Sequence, residues 1–332
     1  MKNRVDKASH TITVPDMVKH LLRYANMIKL SGLYNGRAGL SLSLFAAADH
    51  LIDEKLQDIA FGYIKEALVT KNDDYSFENG LSGIGYTLLY LIEKGFLDTD
   101  YDEIFGVRHK EILAFYDTVD TNPSLLLSHL TGLFYLTKVA RIKDDNRIQT
   151  AIRKFFEGIE LFFTIQFHDF VDFSYVGIKT ELFRIFEIYL RLIDYSEYAD
   201  FSRVVLEDYA TLYRKGLIAS SLKTGFYLDR ISRHYQIKDF EDVINENMRD
   251  GFQNIHSETL SLKEKIDLEK LAADHPSYPV KTVDMLLNYR QMRKDQAIVN
   301  ISKCTEMYNP LGYGAGLSRL LIYCIDRNME LL

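Results

Sequence analysis

The sequence predicts an all-α protein, an α/α toroid of about seven helix pairs in two concentric layers. Three observations predict it. The first is a glycine turn that runs straight into an apolar helix and then returns along the chain. It stands at Gly32-Leu33-Tyr34-Asn35-Gly36-Arg37-Ala38-Gly39-Leu40, at Asn79-Gly80-Leu81-Ser82-Gly83-Ile84-Gly85 and at Pro310-Leu311-Gly312-Tyr313-Gly314-Ala315-Gly316-Leu317. The second is an alternation of two helix types. Helices apolar on nearly every side must be enclosed by others, and between them lie helices with a single apolar stripe. The third is the lack of any period-two strand pattern, together with only five prolines in 332 residues.

The elements follow in order. Residues 1–14 read as a flexible N-terminal tail and 15–332 as a single domain. Pro15 suits the first helical position, and Val18, Leu21, Leu22, Ala25 and Ile28 then recur at helical spacing. After the first glycine turn an apolar helix runs to about Leu51. An amphipathic one follows, with its stripe on Leu56, Ile59, Ala60, Tyr63, Ile64, Ala67 and Leu68. Next come an apolar helix from Tyr86, an outer helix from Ile104 to Tyr116, an inner one from Leu125 to Ala140 and an outer one from Ile148 to Ile165. The aromatic stripe of that last helix (Phe155, Phe156, Ile159, Phe162, Phe163) reads as core. Leu182 to Ile193 is inner and Phe201 to Tyr213 outer. Beyond Ile237 the signal degrades through a charged helix, Leu260 to Ala273, a break at His275-Pro276-Ser277-Tyr278-Pro279, and a helix from Val283 to Met292. The markers Gly36, Gly83, Gly132, Gly177 and Gly225 stand about 47, 49, 45 and 48 residues apart, and an eroded copy is expected near 265–280. The first helix lacks an inner partner before it and the last inner helix lacks an outer partner after it, so the two ends are expected to meet.

A net charge of −7 offers no footprint for nucleic acid. Two cysteines, Cys304 and Cys324, make no disulfide framework. Neither an apolar leader nor a membrane-length apolar run is present. The expectation is a cytoplasmic protein without cofactor or membrane span.

The glycine turns and the repeat length resemble the lanthionine synthetase C-like (LanC-like) family. The sharpest matches are Gly32 to Gly39 and Asn79 to Gly85, with an eroded copy at Ser124 to Leu136 and a closing copy at Pro310 to Leu317. The resemblance implies a toroid of seven helix pairs. It also implies thioether ring closure by addition of a peptide cysteine to a dehydroamino acid. The implied partners are a modified precursor peptide and a dehydratase, kinase or lyase. The best-known members hold zinc through two cysteines and a histidine, which keeps the thiol as thiolate. Here neither cysteine is followed by histidine or glycine, so no metal is expected. The sequence is similar to zinc-free cyclase domains of fused synthetases, or to a member that binds peptide without chemistry.

The turns that open the inner helices carry the candidate residues. His129 is the candidate base, since imidazole is the side chain suited to proton transfer near neutrality. Tyr175 and Tyr313 are candidate proton donors to the enolate. Asn35, Arg37, Glu78, Asn79 and Lys223 are candidates for substrate binding. Each has a plainer reading: Asn35 and Asn79 as helix caps, Arg37 and Glu78 as a pair across repeats, and the tyrosines as lining. His168-Asp169 is a weaker base candidate. A glycoside hydrolase on the same toroid would need two carboxylates; Glu78, Asp169 and Asp172 are the nearest acids to glycine turns.

Overall fold

A computed structural model describes residues 12–119, 123–169, 176–256, 260–281 and 310–327. The described residues hold α-helices and no β-strand. The helices are α1 (Val14–Tyr24), α2 (Arg37–Leu51), α3 (Glu54–Val69), α4 (Leu81–Glu93), α5 (Tyr101–Val119), α6 (Pro123–Ser128) and α7 (Gly132–Ala140). Then follow α8 (Asn146–His168), α9 (Val176–Ser196), α10 (Arg203–Arg214), α11 (Leu222–Tyr235), α12 (Glu241–Gln253), α13 (Leu262–Ala272) and α14 (Leu317–Ile325). They form two compact units. One draws on Met1–Lys71, Ser257–Asp274 and Pro279–Leu332, the other on Asn72–His256 and His275–Tyr278. The helix expected at Val283–Met292 lies outside the described residues.

In the first unit α1 starts at a reciprocal cap. The Thr13 hydroxyl accepts from Asp16 N, and the Asp16 carboxylate accepts from Thr13 N at 3.0 Å. Ile12, just before it, is already buried. The α1 helix is shorter than expected and gives way to one 3-10 turn, Ala25–Met27. Helix α2 is buried along every face from Ala38 to Ala48, as its composition requires. Helix α3 buries only Leu56, Ala60, Ile64 and Ala67, a single stripe, and packs against α2. Helix α14, buried from Leu317 to Tyr323, lies against α2, α13 and α1. The two ends of the described chain therefore meet.

In the second unit the alternation becomes two layers. Helices α4, α7, α9 and α11 each pack on the next, and so do α5, α8, α10 and α12. In the first row α4 is buried from Leu81 to Leu91 and α7 from Gly132 to Val139, while α9 and α11 keep exposed residues at Glu181, Arg184, Arg233 and His234. The second row keeps one wet side. In α8 the residues Phe155, Phe156, Ile159 and Phe163 are buried and Phe162 is half-buried. The continuous inner helix expected from Leu125 to Ala140 is two helices instead. The chain turns at His129, Leu130 and Thr131, where Gly132 N donates to His129 O at 2.8 Å. A Cβ on Gly132 would stand 2.0 Å from the Tyr116 hydroxyl, which enters from α5 at this point.

Three glycine turns share one hydrogen-bond register. Arg37 N donates to Leu30 O at 2.9 Å, Leu81 N to Asp74 O at 2.7 Å and Leu317 N to Pro310 O at 2.9 Å, each seven residues back. In that register Leu33, Phe77 and Tyr313 coincide, and all three are at most 1% exposed. Gly36, Gly80 and Gly316 coincide as the N-caps. Glycine is required there by space: a Cβ on Gly36 would lie 2.4 Å from Gly32 N, and one on Gly80 2.3 Å from Asp74 O.

Candidate functional site

The second unit brings the second turn and the α6–α7 turn together. Thr131 Oγ1 donates to Glu78 Oε1 at 2.8 Å. Beside this contact the Tyr75 ring stacks on Phe115 at 4.8 Å, and His129 meets the other ring edge-on at 4.8 Å. All five residues are half-buried, which leaves them accessible to a ligand on one side. Below them, Ser82 Oγ donates to Tyr75 O at 2.6 Å and stands 2.8 Å from the Tyr116 hydroxyl. Burial raises the Tyr116 pKa, so that phenol stays protonated and acts as a pin between α5 and the start of α4.

The tautomer of His129 follows from its neighbours. Nδ1 lies 3.1 Å from Leu125 O, an oxygen that can only accept, and 2.9 Å from Ser128 Oγ. Ser128 Oγ itself donates to Leu125 O at 3.0 Å. Nδ1 therefore carries the proton and Nε2 the lone pair. Nε2 has no hydrogen-bond partner among the described residues, so the ring is oriented by one nitrogen and available at the other.

The remaining candidates are placed as follows. Asn35 and Asn79 stand one residue before the caps, which are glycines without side-chain cap bonds. The Asn79 carbonyl accepts from Asn72 Nδ2 at 3.0 Å. Arg37 pairs with Glu66 at 2.8 Å and donates through Nε to Ile28 O at 3.3 Å, while Glu78 is held by Thr131. Lys223 is half-buried at the start of α11, where Ser221 Oγ donates to Glu187 Oε1 at 2.7 Å. Tyr313, 1% exposed, fills the plug position that Leu33 and Phe77 occupy in the other turns. Tyr175 and Asp172 lie outside the described residues. His168 ends α8, and Asp169 is its C-cap residue.

Two participants were not anticipated from sequence: Tyr75 and Phe115. Tyr75 had a usable signal, since it follows Asp74, the residue whose carbonyl closes the turn. Phe115 had none, because an aromatic in an amphipathic stripe reads as core.

Zinc, the metal of the best-known members of the family resembled, finds no donor set among the described residues. The closing turn carries neither cysteine nor histidine, and among the described residues no three His, Cys, Asp or Glu side chains gather around one point. Cys324 is mid-helix in α14, and Cys304 lies outside the described residues. Among the described residues no helix is long and apolar enough to cross a membrane. The sequence matches no family model, no curated protein and no solved structure.

Proposed function

We propose that this chain is a LanC-like α/α toroid that closes thioether rings without zinc in the maturation of a ribosomal peptide, with His129 as general base. The observation that carries the chemistry is the oriented His129 ring, its Nε2 lone pair left open beside the Tyr75–Phe115 wall. The shared register of three glycine turns supports the fold. So do the two layers of the second unit and the packing of α14 on α1, which would be the inner and outer helices of a closing pair.

In this reading the peptide lies along Tyr75 and Phe115, with Glu78, Asn79 and Lys223 as polar contacts. A cysteine thiol gives its proton to His129 Nε2. The sulfur bonds to the β-carbon of the dehydro residue, and the double-bond electrons move to the carbonyl as an enolate. The imidazolium then returns the proton to the α-carbon, so the sum is simple addition. We assign proton return to His129 because the Tyr313 phenol is enclosed. A thiol near pKa 8.5 is a few per cent ionised at pH 7, so a positioned base need supply only about 10²–10⁴-fold. The dehydrated precursor must come from a dehydratase, or from a kinase and lyase acting in turn.

Cyclisation of a dehydrated precursor, followed by loss of free thiol, tests this. His129→Ala should slow closure by about 10²–10⁴-fold with helical circular dichroism unchanged, and EDTA should have no effect. Inhibition by EDTA, or an unimpaired mutant, removes the proposed base. No cyclisation by the unmodified protein with its own precursor favours a peptide-binding scaffold.

A further inference from the structure

Two adjacent residues of α5, Phe115 and Tyr116, each touch both of the turns that make up the site. The Phe115 ring stacks on Tyr75 of the second glycine turn at 4.8 Å and meets His129 of the α6–α7 turn at 4.8 Å. Tyr116 is 2% exposed; its hydroxyl lies 2.8 Å from Ser82 Oγ and donates to Tyr75 O at 3.2 Å. The same hydroxyl fills the notch left by Gly132, where a Cβ would stand 2.0 Å away. Gly132 N donates to His129 O at 2.8 Å and closes the turn that carries the imidazole. From α8, the Phe155 ring backs the phenol edge-on at 5.3 Å. Burial, with Glu78 and Asp74 adding to it against the Ser82 hydrogen bond, keeps the phenol protonated, so it always has a proton to give.

We infer that Tyr116 is a positioning residue for His129: its hydroxyl holds the turn of the base against the Tyr75 wall and so sets where Nε2 stands relative to a bound thiol. The chemistry of this role rests on the cyclase reading, and its geometry on the contacts alone. Two ties join the turns. The Thr131–Glu78 hydrogen bond is half-buried, where water competes with it. The Tyr116 hydroxyl is enclosed, where hydrogen bonds are stronger and hold position better. Enclosure also keeps Tyr116 from touching the reacting atoms, so it acts through His129 and Tyr75.

The test compares the unmodified protein with Y116F, which removes the hydroxyl and keeps the ring, and with S82A, which removes its partner. Y101F is the stability control, since it removes an enclosed phenol hydroxyl 2.7 Å from Tyr135 Oη, away from the site. The first readout is the NMR spectrum of the imidazoles, with the His129 signals identified by their loss in H129A. In Y116F and S82A the His129 ring protons should shift as the Phe115 edge contact slackens; in Y101F they should stay in place even where the melting midpoint falls. The second readout is cyclisation of the dehydrated precursor. Y116F should lower kcat by about 10–10²-fold, because misplacement by 1 Å can cost about 10²-fold. The double variant H129A/Y116F should be no slower than H129A, because the hydroxyl acts through the base. Unmoved His129 signals in Y116F and S82A overturn the role, and so do equal shifts in Y101F or additive losses in the double variant. If Y116F does not fold, S82A decides by the same signals. If the unmodified protein does not close its precursor, the cyclase reading falls, and the spectra alone decide whether Tyr116 orients His129.

Discussion

Tyr135 Oη holds two partners at once: Tyr101 Oη at 2.7 Å and His109 Nδ1 at 2.7 Å. All three are buried between α5 and α7. Burial holds the His109 pKa down, from 6.5 to about 4, with Lys143 adding to the effect, Arg147 adding less, and Asp102 and Asp145 opposing it. The folded protein thus refuses a proton that the unfolded chain accepts. Stability from this group is complete above pH 6.5 and is lost as pH falls toward 4, by about 3 kcal/mol at most. His109→Gln should be less stable at neutral pH and should show a shallower decline between pH 6.5 and 4 in urea titrations. Parallel declines would remove His109 as the cause. The sequence offers no route to this trio, because the partners are 34 and 26 residues apart and each looks like an ordinary member of a helix stripe. His129 and Glu78 were legible for the opposite reason: glycines mark the turns on which they sit. What was not legible is the Nδ1 contact that sets the His129 tautomer, which depends on the chain breaking after Ser128.

At the scale of one element, the glycine-led turn shows how a local rule becomes a helix start. The carbonyl seven residues back replaces a side-chain cap, and the extended cap residue must lack a Cβ for the loop to close. Gly80→Ala would place a carbon 2.3 Å from Asp74 O and break the Leu81 N bond to that oxygen, at a cost of about 2–4 kcal/mol. Gly62, exposed inside α3, meets nothing within 4 Å, and Gly62→Ala should stabilise by about 1 kcal/mol. Equilibrium unfolding of the two variants should move in opposite directions; equal shifts would mean that spacing, not sterics, places the glycines. The same reasoning explains why the pattern faded after Ile237. Helix α12 buries Val243, Ile244, Asn247, Met248 and Gly251, so two of its five core positions carry no apolar side chain. Asn247 is there to accept from Tyr209 Oη at 3.2 Å and from Ser221 N at 3.0 Å. Gly251 is there because a Cβ would lie 2.4 Å from Leu222 N. Helix α13 hides its enclosure the same way, behind lysines and carboxylates. Hydrophobic period alone misses helices whose buried face is polar or bare.

For the whole molecule, the consequence lies in which contacts are local. The second unit is nearly continuous in sequence, from Asn72 to His256, and its layers join helices that are near neighbours along the chain. The first unit instead needs α14 to find α1 and α2, with about 290 residues between the end of α1 and the start of α14. Closing so long a loop costs chain entropy before any burial offsets it, so such contacts form late. Refolding from denaturant should therefore proceed in order. Pulse-labelled hydrogen exchange should find the amides of α4, α5, α7 and α8 protected first, and those of α14 and α2 afterwards. Leu320→Ala, at a position with no exposure, should speed unfolding several-fold and leave the early protection of α4 to α8 unchanged. Simultaneous protection of α14 and α4, or slower early protection in the variant, would mean that the chain ends join the folding nucleus. The repeat itself argues for the ordered outcome. Each glycine turn is stabilised within its own seven-residue loop, whereas α14 cannot take its apolar face out of water until α1 and α2 are there to cover it.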